Sequence, residues 1–281
     1  MKKSYLLILL VVAVVFGTGF NKDEEAWPEM VKIEGGSFMF GADKRDMLAE
    51  KDEKPQNQVS VDAFYMSKFE VTVWEWKQYV KENKLQMPPK QAWGWNDAFP
   101  ITNVTWEEAI DFCNWLSKKH GYDQVYSRRG PILTCNFEAD GYRLPTEAEW
   151  EFAARGGVKS KGFKYVGSDN PERMAWYTEN SENRPHVYGT RYANELGIHD
   201  LNGNVWEWCW DKYDPAYFGD IKSGSAPSHN PTGALAGEKR IVKGGSWDSK
   251  LSFLRPTNKV ATLPGNTYEF YGFRVVRSIK K

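Results

Sequence analysis

The chain lacks a surplus of either charge: its 281 residues carry 37 Lys and Arg against 37 Asp and Glu, and no block of like charges stands along it. Without a basic face or basic helix there is no electrostatic footprint for nucleic acid or for an anionic membrane surface, so neither is expected as a partner. Histidine is scarce, with four residues. His120, His186, His199 and His229 stand alone with no HxxxH spacing, which argues against a histidine-built metal centre. There is no GxSxG and no P-loop. The three cysteines, Cys113, Cys135 and Cys209, form no CxxC and allow at most one disulfide with one thiol left over. They read as small buried residues, a Cys113–Cys135 bridge being the alternative.

Long apolar runs are also missing. The longest, Tyr5 to Phe16, is about 12 residues, short of the roughly 20 that a spanning helix needs. Lys2 and Lys3 precede it and Gly17, Thr18 and Gly19 follow, the pattern of a secretory signal peptide, residues 1–19. A retained anchor is the alternative, but Phe20 stands where lipidation would require Cys. The expected product is an exported monomer, residues 20–281, in the periplasm, at the cell surface or secreted, with no membrane span after cleavage. No Pro/Ser linker or repeat divides it, so it reads as a single domain.

Aromatics are abundant: 13 Trp, 14 Tyr and 15 Phe. Three helices are announced by Thr followed three residues later by Glu, at Thr72/Glu75, Thr105/Glu108 and Thr146/Glu149, each a capping box that pairs two otherwise unbonded N–H groups. In the second, Trp106, Ala109, Ile110, Cys113 and Leu116 fall on one apolar stripe. Gly121 and the pair Gly156 and Gly157 read as helix stops. Short strands are expected at Met30–Ile33, Phe38–Phe40, Val59–Met66, Arg240–Val242 and Phe273–Arg277. Residues 157–239 read as irregular but aromatic-rich, hence packed.

Several blocks in order resemble the formylglycine-generating enzyme family, the sulfatase-modifying factor domain: IEGGSFMFG (Ile33 to Gly41), FEVTVWEW (Phe69 to Trp76), VTWEEAIDFCNWLS (Val104 to Ser117), DGYRLPTEAEWEFAARGG (Asp140 to Gly157), NELGIHDLNGNVWEW (Asn194 to Trp208), RIVKGGSW (Arg240 to Trp247) and GFRVVR (Gly272 to Arg277). The resemblance implies an α+β, loop-rich variant of the C-type lectin fold with few short helices and strands. It does not by itself imply catalysis. In the catalytic members two cysteines after the GGS block bind copper. Ser249 and Leu254 stand at those positions, and neither supplies a soft thiolate, so no copper and no cysteine oxidation are expected and no catalytic residue is assigned.

The resemblance also implies a structural calcium, held by the side chain of Asp200, the carbonyls of Gly203 and Val205 and the carboxylate of Glu207, a hard-oxygen set suited to that ion. The alternative is a turn-capping Asp200 and a hydrogen-bonded Glu207 without metal.

Between GGSW and GFRVVR the segment Asp248 to Tyr271 keeps framework positions that resemble the family (Leu254, Arg255, Asn258, Lys259, Pro264) and varies the rest. The pattern is similar to the variable proteins of diversity-generating retroelements, exported binders that mutate adenines in Asn codons. Asp248, Ser249, Ser252, Phe253, Ala261, Thr267, Tyr268, Phe270 and Tyr271 are each reachable from an Asn codon by adenine changes; Lys250 and Glu269 are not. Phe and Tyr give contact area at low rotamer entropy, and Ser, Thr and Asp give adaptable hydrogen bonds. The expected ligand-binding set is therefore Asp248, Ser249, Lys250, Ser252, Phe253, Thr267, Tyr268, Glu269, Phe270 and Tyr271, facing a protein or glycan, with Ser249, Lys250 and Ser252 at the surface. Phe253, Phe270 and Tyr271 are open to a core reading as well. An exported enzyme or accessory of the same family with non-copper chemistry is the alternative function.

Overall fold

A computed structural model describes residues 27–280 apart from Pro227; the signal peptide expected at residues 1–19 lies outside the described residues. The chain opens with β1 (Met30–Ile33), β2 (Gly36–Phe40), β3 (Asn57–Val61) and β4 (Phe64–Ser67), followed by α1 (Val73–Asn83) and α2 (Trp106–Lys119). A hairpin, β5 (Tyr126–Arg129) and β6 (Ile132–Cys135), and the two-residue β7 (Tyr142–Arg143) lead to α3 (Glu147–Ala154). A long passage with only short 3-10 turns then reaches β8 (Trp206–Lys212), α4 (Tyr217–Ser223), β9 (Arg240–Lys243), β10 (Lys259–Thr262), β11 (Tyr271–Gly272) and β12 (Val276–Ser278).

All three capping boxes form, each Thr hydroxyl accepting from the Glu backbone N–H and each Glu carboxylate from the Thr N–H. The stripe of α2 is buried along its length, with Trp106, Ala109, Ile110, Cys113 and Leu116 all at 0% exposure. The helices lean on two four-stranded sheets, ordered β1-β4-β12-β7 and β10-β9-β8-β11. The first is antiparallel and brings the C-terminal β12 between β4 and β7, in the same sheet as β1. In the second, β11 runs parallel to β8, pairing Tyr271 with Trp206 and Gly272 with Glu207.

Two strand expectations need correction. Val59–Met66 is two strands, β3 and β4, separated where the Asp62 N–H turns out to donate to Asn230 Oδ1 (2.8 Å). Phe273–Arg277 is not one strand either: β11 ends at Gly272 and β12 starts at Val276, because Arg274 is drawn inward to a buried carboxylate.

Most of the aromatic load is core. Trp76 stacks on Phe112 at 5.5 Å, and Phe273 meets both edge-on; in the second cluster Phe40 packs on Phe218 at 4.6 Å. Each buried Trp removes on the order of 200 Å² from water, about 5 kcal/mol of gross hydrophobic stabilisation before ordering costs.

Candidate functional site

The segment after β9 begins with Gly244 and Gly245, at φ +97° and +78°. At Gly245 a Cβ would come within 2.7 Å of Leu254 Cδ2, so glycine lets the loop fold back over its own 3-10 turn, Leu251–Leu254. Leu254 is fully buried with Tyr165, Ala175 and Tyr177. Ser249 is 6% exposed, its Oγ accepting from the Ser246 N–H (2.9 Å) and meeting Ser246 Oγ at 3.2 Å. The expectation that Ser249 lies at the surface is thus corrected: a hydroxyl that closes a local turn is drawn inward with it. Neither position that bears cysteine in the copper-dependent members presents a metal ligand.

The framework positions Leu254, Arg255, Asn258 and Lys259 are buried, two of them as charged side chains. Arg255, 2% exposed, grips Glu53 through Nη1 to Oε2 (2.7 Å) and Nη2 to Oε1 (2.8 Å), while Thr257 donates to the same carboxylate. Burial alone would raise Glu53, but these hydrogen bonds outweigh it and hold the group at about 2. Lys259 pairs with Glu147 at 2.9 Å, both side chains being buried. Outward stand Asp248, Lys250, Phe253, Thr267, Tyr268 and Glu269; Ser252 and Phe270 are half-buried. Tyr271 is a further correction to the binding set, being 5% exposed because its ladder with β8 turns the ring onto Trp208, edge-on at 5.3 Å.

The rings of this face fall into two contact groups, each with a buried tryptophan behind an exposed ring. Phe253, 38% exposed, meets Trp206 at 6.1 Å. Tyr268, 42% exposed, stacks on Phe270 at 5.3 Å, Phe270 touches Trp247, and Trp247 touches Trp93. Trp93 was not among the sequence candidates; it is far from the segment in the chain and no motif marks it.

The loop from Asp200 to Glu207 lies beneath this face. Asp200 and Asn204 take positive φ (+58° and +55°), and Gly203 (+76°) comes so close to Trp176 that a Cβ would sit 2.1 Å from its carbonyl oxygen. The Glu207 carboxylate is taken on both oxygens: Arg274 donates Nε to Oε2 and Nη2 to Oε1, each at 2.7 Å, and Trp150 Nε1 donates to Oε2 at 2.7 Å. Asp200 Oδ2 accepts from the Gly189 N–H (2.7 Å). Asp200 Oδ1 and the nearby Glu70 Oε2 are buried without a hydrogen-bond partner among the described residues. Burial, then the Asp200 charge, pushes Glu70 well above the usual carboxylate range, and burial pushes Asp200 to about 6. The expected calcium set does not fit this arrangement, since Glu207 faces a guanidinium that would repel the ion. Among the described residues no group of three or more His, Cys, Asp or Glu is placed to hold a metal through side chains alone.

Among the described residues the cysteines are free, Cys113 and Cys209 buried and Cys135 half-buried. Burial raises all three thiols, Cys135 to about 12, which disfavours the thiolate in each. Each histidine is hydrogen-bonded: His120 to Tyr142, His186 to the Ser181 carbonyl, His199 to the Arg191 carbonyl and His229 to Ser60.

This fold and this loop arrangement define a C-type-lectin-like domain of the formylglycine-generating type. The chain belongs to the sulfatase-modifying factor enzyme 1-like domain family, whose profile matches residues 16–279. It is 31% identical over 284 residues to Chaperone protein LppX of Paenibacillus barcinonensis, covering 89% of this chain and 90% of the relative. It is 27% identical to the Inactive C-alpha-formylglycine-generating enzyme 2 of Mus musculus, with 89% and 86% covered. Among solved structures, Treponema denticola variable protein 1 superposes with a TM-score of 0.73 at 27% identity, covering 88% of this chain and 94% of that one.

Proposed function

We propose that this is an exported, non-catalytic binding protein that presents Asp248, Lys250, Ser252, Phe253, Thr267, Tyr268, Glu269 and Phe270 to a protein or glycan ligand. The observation that carries it is the division of labour inside one segment. Framework residues Arg255 and Lys259 are locked into buried ion pairs, while residues on either side of them, Asp248 to Phe253 and Thr267 to Phe270, expose a polar-aromatic surface on a rigid support. Pre-organised aromatic anchors among adaptable polar groups suit recognition. Similarity to a variable protein and to an inactive family member supports the same reading, as does the absence of a thiol ligand at Ser249 and Leu254. The surface is read as diversified by retroelement mutagenesis.

Two experiments test this. Sequencing the gene and its flanks from several isolates should find a reverse transcriptase gene nearby and adenine-confined differences falling on the exposed positions while Arg255, Asn258 and Lys259 stay fixed. Invariance of residues 248–271 would overturn diversification. Screening the protein on glycan and protein arrays, with Phe253→Ala and Tyr268→Ala as controls, should give a ligand that both substitutions weaken by about tenfold or more. A ligand bound equally by both variants would place recognition elsewhere.

A further inference from the structure

A second concavity, sharing no lining residue with 248–271, opens beside the N-terminus of α1, with a volume of about 400 Å³. Its walls are two aromatic pairs: Trp27 edge-on to Trp74 at 5.2 Å, and Phe69 against Tyr188 at 4.5 Å. None of the described residues that line it is basic, whereas four are acidic. Two of the acids, at the rim, are already paired: Glu29 with Lys68 (2.7 Å) and Asp97 with Lys77 (2.6 Å).

The other two are Glu70 and Glu75, 2% and 7% exposed. Glu75 Oε2 closes the capping box, accepting from the Thr72 N–H (2.6 Å) and Oγ1 (2.9 Å); among the described residues nothing donates to Oε1. Glu70 Oε1 accepts from Asn204 Nδ2 (3.1 Å), and Oε2 has no partner among the described residues. A carboxylate this buried with an unused oxygen carries a desolvation cost that a proton, a donor or a cation relieves.

An anion is repelled by this cleft, and a neutral apolar molecule would leave both acids desolvated. Hard divalent ions want six to eight oxygens, whereas four rings occupy much of the wall. A guest with N–H donors, one positive charge and a short apolar stem meets every feature, its methylenes lying on the rings and its charge drawn by their π faces. We propose that this cleft binds a primary alkylammonium group, with the ammonium directed at Glu75 Oε1 over Glu70 and the stem between the Trp27–Trp74 and Phe69–Tyr188 pairs.

Two sources share that chemistry, a free amine and a lysyl side chain of another protein. Calorimetry of the signal-free protein with n-butylammonium chloride should show saturable binding, with 1-butanol, which has the stem without the charge, weaker by about tenfold or more. Tetramethylammonium, a cation without donors, should also bind less well. Glu75→Gln keeps the capping box, since Gln caps as Glu does, and should weaken butylammonium about tenfold without loss of helical circular dichroism. Trp74→Ala should cost roughly three- to tenfold. A lysine amide that binds more tightly than butylammonium would identify a protein lysine as the occupant; the reverse order would identify a free amine. Equal binding of butanol and butylammonium, no saturation by any amine, or full affinity in folded Glu75→Gln would overturn the proposal.

Discussion

Replacing Arg274 by Met tests the buried polar centre most directly. Arg274 is completely buried and is the cation facing Glu207, Glu70 and Asp200. Its guanidinium makes two 2.7 Å bonds to Glu207 and also donates to the carbonyls of Ser67 (3.1 Å) and His199 (2.9 Å). Met preserves much of the apolar stem and deletes the charge. Leaving a buried partner uncompensated costs about 3–5 kcal/mol, which for a domain of this size lowers the melting temperature by on the order of 10 °C. Near-ultraviolet circular dichroism melts of wild type and Arg274→Met at neutral pH should show this deficit directly. Adding Glu207→Gln to Arg274→Met should recover part of the loss, because a neutral amide can be buried at lower cost than a charge. A deficit below about 1 kcal/mol at neutral pH would refute this account of the centre.

Other consequences are as concrete. Gly203→Ala should destabilise by more than about 2 kcal/mol, read by thermal melting, because φ is +76° and the new Cβ would meet the Trp176 carbonyl at 2.1 Å; a change within about 0.5 kcal/mol would show that the loop is not pinned there. Phe253→Ala and Tyr268→Ala should each cost under about 1 kcal/mol, and a cost above about 3 kcal/mol would assign the ring to the core instead. Burial raises Asp200 to about 6 and Glu75 to about 7, so their contribution is complete below the unfolded pKa and is lost as pH climbs to those values. Glu53, held at about 2, contributes above its unfolded pKa and loses that on acidification toward 2. Urea unfolding across pH should accordingly give maximal stability between about pH 4 and about pH 6, and a maximum above about pH 8 would contradict the buried acids. Calcium in excess over a chelator should leave the melting temperature unchanged, whereas a rise of several degrees would show that the ion displaces Arg274 from Glu207.

The parts of the fold that were legible from sequence are those where local chemistry and tertiary packing agree. Thr72/Glu75, Thr105/Glu108 and Thr146/Glu149 satisfy their own backbone donors, so their helices can be read without knowing what covers them. α4 was not read, and the reason is local: Ala216 at its N-cap provides no side-chain acceptor. β8 was not read because Trp206–Lys212 is covered on both faces, Glu207, Cys209 and Asp211 being buried among the tryptophans. Its sequence therefore lacks the alternation that marks a strand with one wet face. Buried charge also hid part of the candidate site. Glu207 reads as a calcium ligand until Arg274, 67 residues away, is seen on both its oxygens. Glu75 reads as a capping residue, which it is, while its free oxygen is visible only beside Trp27 and Tyr188.

Within residues 248–271 the usual distribution of residue types is inverted: Arg255 and Lys259 are inside, and Phe253 and Tyr268 are outside. The inversion has a mechanical consequence. Arg255 ties the segment to Glu53 and Lys259 ties it to Glu147, contacts 202 and 112 residues apart in sequence, so the loop's path is set by distant partners rather than by its own variable residues. Substitutions at exposed positions should then leave the buried pairs untouched, since effects at sites without shared partners add nearly independently. Ser249 marks the limit of that freedom, since its hydroxyl is bonded inside the turn through Ser246. The binding surface proposed above, if it varies between isolates as proposed, requires this separation of support from contact, which an ordinary loop carrying aromatic residues does not.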